Sequence, residues 1–138
     1  MNDTSQFRTQ KGYALSDRSG TGLTESMEDY LEMIYRLSAE VIRIHHLAAH
    51  LHVSPSAVSR MAENLRRRGY IAFERYGFIT LTDEGRRMGK FLLWRHETVN
   101  RLLCRINGSD GELIETERIE HFLSHATVEN IERLLQEI

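Results

Sequence analysis

Acidic and histidine side chains recur in this chain at spacings that could hold a metal ion. Asp29 and Glu32 are three positions apart, so a helix would place both carboxylates on one face. A second set, at steps of three and four residues, comprises Glu117, Glu120 and His121, and one further imidazole is that of His96. Oxygen donors with two imidazoles suit a hard to borderline divalent ion of octahedral habit, such as Mn²⁺, better than a soft tetrahedral site. Spacing alone leaves open the alternative of solvated acidic helix faces and a histidine satisfied inside the core.

Apolar residues at three- and four-residue steps predict the helices that would carry these side chains. The first predicted helix begins near Met27 and carries the first acidic pair. A long helix follows from about Thr82 to Ile106 and carries the isolated imidazole, with acidic residues at the positive end of its dipole. Two acidic helices are predicted over about 110–125 and 128–138, and the first of them carries the second set of donors.

The middle of the chain has the pattern of a winged helix-turn-helix. A helix from Ile44 to Leu51 is followed by a turn in which Ser54 is the predicted cap and Pro55 the first residue of the next helix. An aromatic and β-branched segment around one glycine predicts a β-hairpin wing over about 71–82. The second helix of such a pair fits the major groove of DNA. The residues predicted to face DNA are small, hydrogen-bonding or basic, with two at the wing tip: Ser54, Pro55, Ser56, Ala57, Ser59, Arg60, Asn64, Arg75 and Tyr76.

The distribution of charge favours a polyanionic partner for the middle of the chain. The formal net charge is only −2, but residues 41–105 carry 12 basic and 5 acidic side chains, a net of +7. The segments 1–40 and 106–138 carry −3 and −6. This asymmetry indicates a nucleic acid as the partner of the middle segment and a separate role for the ends. Solvated faces that segregate by sign, and a winged helix used only for protein contacts, are the alternatives.

Length, cysteine content and hydropathy exclude several classes of protein. The 138 residues suffice for one domain of ordinary size or two small ones that share a core. A single cysteine excludes an intramolecular disulfide framework and a Cys-based zinc knuckle. No apolar run approaches the roughly 18 residues of a membrane span, and no secretory signal is seen. We therefore expect a cytoplasmic protein without a membrane partner. A zinc-protease motif is also excluded, because Phe122 stands where the general-base Glu must be, and no catalytic residue is expected.

Three separated stretches of the sequence resemble the signatures of one known family. They run from Ser26 to Tyr35, from Trp94 to Glu97 and from Glu117 to Ser124. In this order they look like the manganese transport regulators, a branch of the diphtheria-toxin-repressor family of metal-dependent transcriptional repressors. The hairpin and its exit also resemble that family, and the similarity covers about residues 24–136.

The resemblance implies a mainly α fold with a small β-hairpin wing, organised in two domains. A winged helix-turn-helix DNA-binding domain would span residues 23–90, and a helical metal-binding and dimerisation domain residues 91–138. The C-terminal SH3-like domain of longer family members would be absent. Residues 1–22, with several Gly, Ser and Thr and no apolar period, are predicted to form a flexible arm.

The resemblance also implies a ligand set and a function. The six ligand positions of the family's binuclear site match Asp29, Glu32, His96, Glu117, Glu120 and His121. Carboxylates at the first and fourth of these positions are similar to the manganese branch, because the iron-sensing branch has Met and Cys there. Four carboxylates balance two divalent ions, so we expect two Mn²⁺ per subunit. The metal-loaded homodimer would bind a palindromic operator in double-stranded DNA and repress manganese-uptake genes.

Two other functions are compatible with the same residues. The chain could be a repressor that responds to iron or to a broad range of divalent metals. It could also be a carboxylate/histidine metalloenzyme or a metal-storage protein, although that function would leave the winged helix unexplained. The leading interpretation includes no small-molecule substrate.

Overall fold

A computed structural model of the chain describes residues 20–74 and 77–137. These residues are mostly helical, with one short antiparallel sheet. The elements, in chain order, are α1 (Glu25–Arg36), α2 (Ile44–Leu51), α3 (Pro55–Arg67), β1 (Ile71–Phe73), β2 (Ile79–Leu81), α4 (Asp83–Asn107), α5 (Leu113–Ile119), a 3₁₀ turn (Glu120–Phe122) and α6 (His125–Glu137). The predicted mainly α fold with a hairpin wing is confirmed. Among the described residues, no helix combines the length and the apolar character that a membrane crossing requires.

The chain divides into two compact units. The N-terminal unit is Leu23–Glu97, and the described residues from Thr98 onward belong to the C-terminal unit. The division lies inside α4. Most of the predicted arm over residues 1–22, and the predicted wing-tip residues Arg75 and Tyr76, lie outside the described residues.

The core of the N-terminal unit is built by the inner faces of α1, α2 and α3. Its fully buried side chains include Leu31, Ile34, Leu47, Val58, Ala62 and Leu65. The predicted start of α3 is confirmed, because Ser54 Oγ accepts a hydrogen bond from Ala57 N at 3.2 Å. Helix α1 begins at Glu25, slightly before the predicted start near Met27, because Thr24 Oγ1 accepts a hydrogen bond from Met27 N at 3.1 Å. Pro55 is the first residue of α3, where its missing N–H costs nothing. Burial of large aliphatic side chains stabilises this unit by roughly 1.5–3 kcal/mol each.

The hairpin packs on this core through its two isoleucines. β1 and β2 pair antiparallel, with Ile71 opposite Leu81 and Phe73 opposite Ile79. Ile42 forms an isolated bridge to Ile79, which ties the segment before α2 to the wing. Both strand isoleucines are buried, at 2% exposure each. The wing is therefore anchored to the same core that positions α3.

Gly85, in the first turn of α4, is held against the backbone beside the hairpin. A Cβ atom at Gly85 would lie 1.9 Å from Tyr70 O. The N–H of Gly85 donates to Thr82 Oγ1 at 3.0 Å, so the turn has little freedom to move away. We expect Gly85→Ala to lower the free energy of unfolding by about 1–3 kcal/mol, the range for overpacking. Urea denaturation measures this change. Gly111→Ala is the matched control, because nothing lies within 4 Å of its Cβ position, and equal stability of the two variants would contradict the close contact.

The C-terminal unit contains the second half of α4, α5, the 3₁₀ turn and α6. Gly108, at φ +62°, ends α4 in the left-handed conformation, and Ser109 N donates to Cys104 O at 3.0 Å. Asn100 Oδ1 accepts a hydrogen bond from Glu112 N at 2.9 Å, which fixes the chain before α5. Val99 and Val128 are fully buried in this unit.

The two acidic helices differ from their predicted bounds. The continuous helix predicted over 110–125 is wrong, since α5 ends at Ile119 and a 3₁₀ turn follows over Glu120–Phe122. The last helix begins at His125 rather than at 128. Ser124 explains both differences, because its Oγ accepts a hydrogen bond from Thr127 N at 3.2 Å and so starts α6. The chain must leave the helical conformation before that residue, and Leu123 is extended at ψ 132°.

Candidate metal centre and nucleic-acid interface

The N-terminal unit holds three of the predicted ligands on two helices. Asp29 and Glu32 are one turn apart on α1, and His96 is carried by α4. Glu32 and His96 are buried, at 7% and 6% exposure, whereas Asp29 is half-buried. A carboxylate oxygen of Glu32 and an imidazole nitrogen of His96 lie within 4.8 Å of each other. The unit therefore offers one oxygen and one nitrogen donor at a spacing that a single ion can bridge.

A buried ion pair lies next to these ligands. Arg95 is fully buried, its Nη2 donates to Glu28 Oε1 at 2.9 Å, and its Nη1 donates to Oε2 at 3.4 Å. Glu28 precedes Glu32 by one helical turn, and Arg95 immediately precedes His96. The pair joins α1 to α4, the two helices that carry these donors. Sequence reasoning missed it, because 67 positions separate the two residues and no local spacing links them.

The C-terminal unit holds the other three predicted ligands. Glu117, Glu120 and His121 each offer a donor atom within 4.8 Å of the other two. Glu120 is fully buried, His121 is 6% exposed, and Glu117 is exposed. The Nε2 atom of His121 is 3.9 Å from Glu120 Oε1. Because α5 ends between Glu117 and Glu120, the 3₁₀ turn, and not one continuous helix face, brings these groups together.

Both clusters have the chemistry of a site for a divalent cation. Ionised carboxylates that are buried are stable only with nearby positive charge or hydrogen-bond donors. The donors are carboxylate oxygens and imidazole nitrogens, and the only cysteine, Cys104, belongs to neither cluster. Such donors suit Mn²⁺ and similar ions, which take about six ligands. Each unit supplies three of the predicted ligands, so neither alone completes an octahedral shell.

Helix α3 has one buried face and one exposed face. Its inner face is buried through Val58, Ala62 and Leu65. The outer positions predicted to face DNA are exposed or, at Ala57, half-buried: Ser56, Ala57, Ser59, Arg60 and Asn64. Ser54 and Pro55, at the start of the helix, are also exposed. Near the N-terminus of α3, where a recognition helix approaches base edges, the side chains on the exposed face are therefore small and able to form hydrogen bonds.

The basic end of α3 contains an acidic residue whose role the sequence reasoning overlooked. Glu63 accepts hydrogen bonds from Arg66 Nε at 2.9 Å and Nη2 at 2.6 Å, and Arg67 Nε lies 3.4 Å from its Oε1. The hydrogen bond from Arg66 lowers the pKa of the Glu63 carboxyl, and the pair raises the pKa of Arg66. Glu63 therefore stays ionised and pairs with Arg66 and Arg67 at the C-terminal end of α3. Its spacing of three and four residues from them was a visible signal.

Comparison with known proteins assigns a DNA-binding domain and a metal-binding domain to successive parts of the chain. The family described as "Iron dependent repressor, N-terminal DNA binding domain" matches residues 22–78, and "Iron dependent repressor, metal binding and dimerisation domain" matches residues 82–138. The HTH-type transcriptional regulator MntR of Lysinibacillus sphaericus is 41% identical over 117 residues, which are 82% of this chain and 84% of the relative. The protein of the same name from Bacillus subtilis strain 168 is also 41% identical, over 82% of each chain.

Solved structures show the same likeness over a shorter share of their length. The manganese regulator SloR has 28% identity and a TM-score of 0.73, over 83% of this chain and 55% of that one. A manganese-dependent transcriptional repressor in complex with manganese has 28% identity and a TM-score of 0.72, over 80% and 52% of the two chains. This chain therefore spans about half the length of these solved chains.

These matches confirm the resemblance inferred from the three signature stretches. They favour a transcriptional regulator over the metalloenzyme or metal-storage alternative, because both halves of the chain match a repressor family. The chain belongs to the iron-dependent repressor family, also called the diphtheria-toxin-repressor family, in which a DNA-binding domain is followed by a metal-binding and dimerisation domain.

Proposed function

We propose that this protein is a cytoplasmic, Mn²⁺-responsive transcriptional repressor that binds a palindromic operator as a homodimer. The observation that carries the proposal is the pair of donor clusters, each with buried members, that contain only carboxylates and imidazoles, in a chain that also presents an exposed recognition helix. The curated relatives and solved neighbours named as manganese regulators support the choice of metal.

Manganese is favoured over iron by the two positions that differ between branches of the family. Asp29 and Glu117 are hard oxygen donors, in place of the Met and Cys of the iron-sensing branch. Neither set of three predicted ligands has enough donors for six-coordination by itself. The proposed ligands are Asp29, Glu32, His96, Glu117, Glu120 and His121. Their four carboxylates balance two Mn²⁺ ions and leave both histidines neutral.

The proposed mechanism uses the connection of these ligands to the DNA-reading helices. A bound ion would supply the positive charge that buried carboxylates need. Asp29 and Glu32 lie on α1, and α1 packs in the same core as α3. An ion bound by Asp29 and Glu32 would therefore restrict the orientation of the recognition helix, which biases a two-state arrangement toward the DNA-binding form.

The proposed domain limits also lie within α4, at residue 90, whereas the two compact units divide after Glu97. Residues 23–90 would form the winged helix-turn-helix domain, and residues 91–138 the metal-binding and dimerisation domain. In the first domain, Ser54, Pro55, Ser56 and Ala57 would allow close approach to DNA. Side chains proposed to reach bases or phosphates are Ser59, Arg60, Asn64, Arg75 and Tyr76.

A gel-shift titration with a palindromic uptake-gene promoter tests the repressor function. We expect operator binding only when Mn²⁺ is present. Arg60→Ala should weaken binding of the metal-loaded protein by about 5- to 150-fold, as expected for loss of a base or phosphate contact worth about 1–3 kcal/mol. Arg133→Ala, an exposed arginine on α6, is the matched control and should bind like the unaltered protein.

The outcomes separate the candidate functions. Binding that is absent, or equal with and without metal, would contradict a metal-dependent repressor. Activation by Fe²⁺ at lower concentrations than Mn²⁺ would favour the iron-responsive alternative. Equal loss of affinity in Arg60→Ala and Arg133→Ala would contradict the assignment of the outer face of α3 to DNA.

A further inference from the structure

Arg36, in the last turn of α1, engages a carboxylate that we assign to the metal. Its Nε and Nη2 atoms both donate to Glu32 Oε2, at 2.9 and 2.6 Å. The carboxylate is buried whereas the arginine side chain is 39% exposed, so the cation reaches in from the surface. A guanidinium that makes two hydrogen bonds to one carboxylate is a strong and well-oriented partner. The guanidinium of Arg36 therefore already binds one of the two carboxylate oxygens through which Glu32 would coordinate a metal ion.

Resting on the proposed function, we infer that Arg36 is an internal competitor of the divalent ion and sets the metal concentration at which the protein responds. The competition has two electrostatic parts. Without metal, the guanidinium neutralises the buried carboxylate of Glu32, which stabilises the metal-free form. With metal, the same positive charge either leaves Glu32 or stays beside a divalent cation, and both alternatives reduce metal affinity.

The position of Arg36 allows its side chain to be replaced without disturbing the core. It lies in the last turn of α1, and its side chain is the most exposed member of the stripe Glu28, Glu32 and Arg36 at four-residue steps. Glu28 is held by the buried Arg95, so the helix keeps its anchor to α4 when Arg36 is changed. A substitution at Arg36 therefore removes the competing charge without removing a ligand.

The test is a Mn²⁺ titration of the full-length protein, followed by electron paramagnetic resonance of free Mn²⁺. Arg36→Gln should bind Mn²⁺ about two- to fivefold more tightly, the scale of a partly exposed ion pair. Arg36→Lys keeps the charge and should stay near the unaltered protein. Arg87→Gln removes an exposed arginine that is paired with Glu84 on α4, and should not change the affinity. Thermal unfolding gives a second readout, because Arg36→Gln should increase the stabilisation produced by a fixed Mn²⁺ concentration.

The possible results distinguish this inference from the proposed function. Weaker or unchanged Mn²⁺ binding by Arg36→Gln would overturn the competitor role, and weaker binding would assign Arg36 to orienting Glu32 instead. An Arg36→Lys variant as tight as Arg36→Gln would show that charge is not the cause and would also overturn it. If the unaltered protein binds no Mn²⁺, the proposed function fails, and the competitor role fails with it.

Discussion

Glu120→Gln should abolish Mn²⁺-dependent operator binding while the protein remains folded. Glu120 is fully buried in the 3₁₀ turn, and its Oε1 lies 3.9 Å from His121 Nε2. The amide keeps the volume of the side chain but removes the negative charge that a divalent ion needs. Loss of a hydrogen-bonded supporting residue at a metal site typically costs 10–100-fold in affinity, so loss of a ligand itself should cost about 100-fold or more.

Two measurements check this prediction independently of each other. Calorimetric Mn²⁺ titration should show the loss of affinity, and thermal unfolding should show that added Mn²⁺ no longer stabilises the variant. A ligand at 100 times its dissociation constant stabilises by about 2.7 kcal/mol, so a 100-fold loss removes most of that effect. Glu115→Gln is the matched control, because Glu115 is an exposed acidic residue on α5. Equal Mn²⁺ affinity of the two variants would contradict the place of Glu120 among the ligands.

Local signals in the sequence were sufficient to predict the DNA-reading half of the fold. Ser54 and Pro55 specify the start of α3 through a side-chain cap and a preset φ, and these effects depend only on neighbouring residues. The hairpin followed from β-branched and aromatic residues around a glycine, and its register is now seen as Ile71 opposite Leu81. Interactions between residues close in sequence determine where these elements begin and end, so they can be predicted from one sequence.

The sequence was sufficient to predict the ligands of the candidate metal centre, but not all of the contacts and turns that position them. Three-residue spacing groups Glu117 with Glu120, yet the change from α-helix to 3₁₀ turn depends on the cap at Ser124, a local signal that competes with that spacing. The ion pair of Arg36 with Glu32 has four-residue spacing and could have been found from sequence. The Glu28–Arg95 pair could not, because contact between α1 and α4 is decided by tertiary packing.

The Glu28–Arg95 pair gives the largest stability effect that we expect in the N-terminal unit. Arg95→Met removes the bidentate partner of Glu28, whose side chain is only 2% exposed. Removing one partner of a buried ion pair costs about 3–5 kcal/mol, because the remaining charge is left in a low-dielectric environment. That is a large share of the roughly 5–15 kcal/mol that holds a typical domain folded. Urea denaturation of the metal-free protein should therefore show a much lower midpoint.

A double-mutant cycle separates the charge from the packing. Arg95→Met combined with Glu28→Gln removes both charges, and we expect this variant to recover at least about 1–2 kcal/mol relative to Arg95→Met alone. Arg87→Met is the exposed counterpart, since its pair with Glu84 is in solvent, and it should cost less than about 1 kcal/mol. If Arg95→Met were no more harmful than Arg87→Met, the buried pair would not hold α1 to α4. Glu32 and His96 lie on the two helices that this pair joins, so the double mutant should also bind Mn²⁺ less tightly, even if its stability recovers. That result would show that the pair positions the metal-binding side chains.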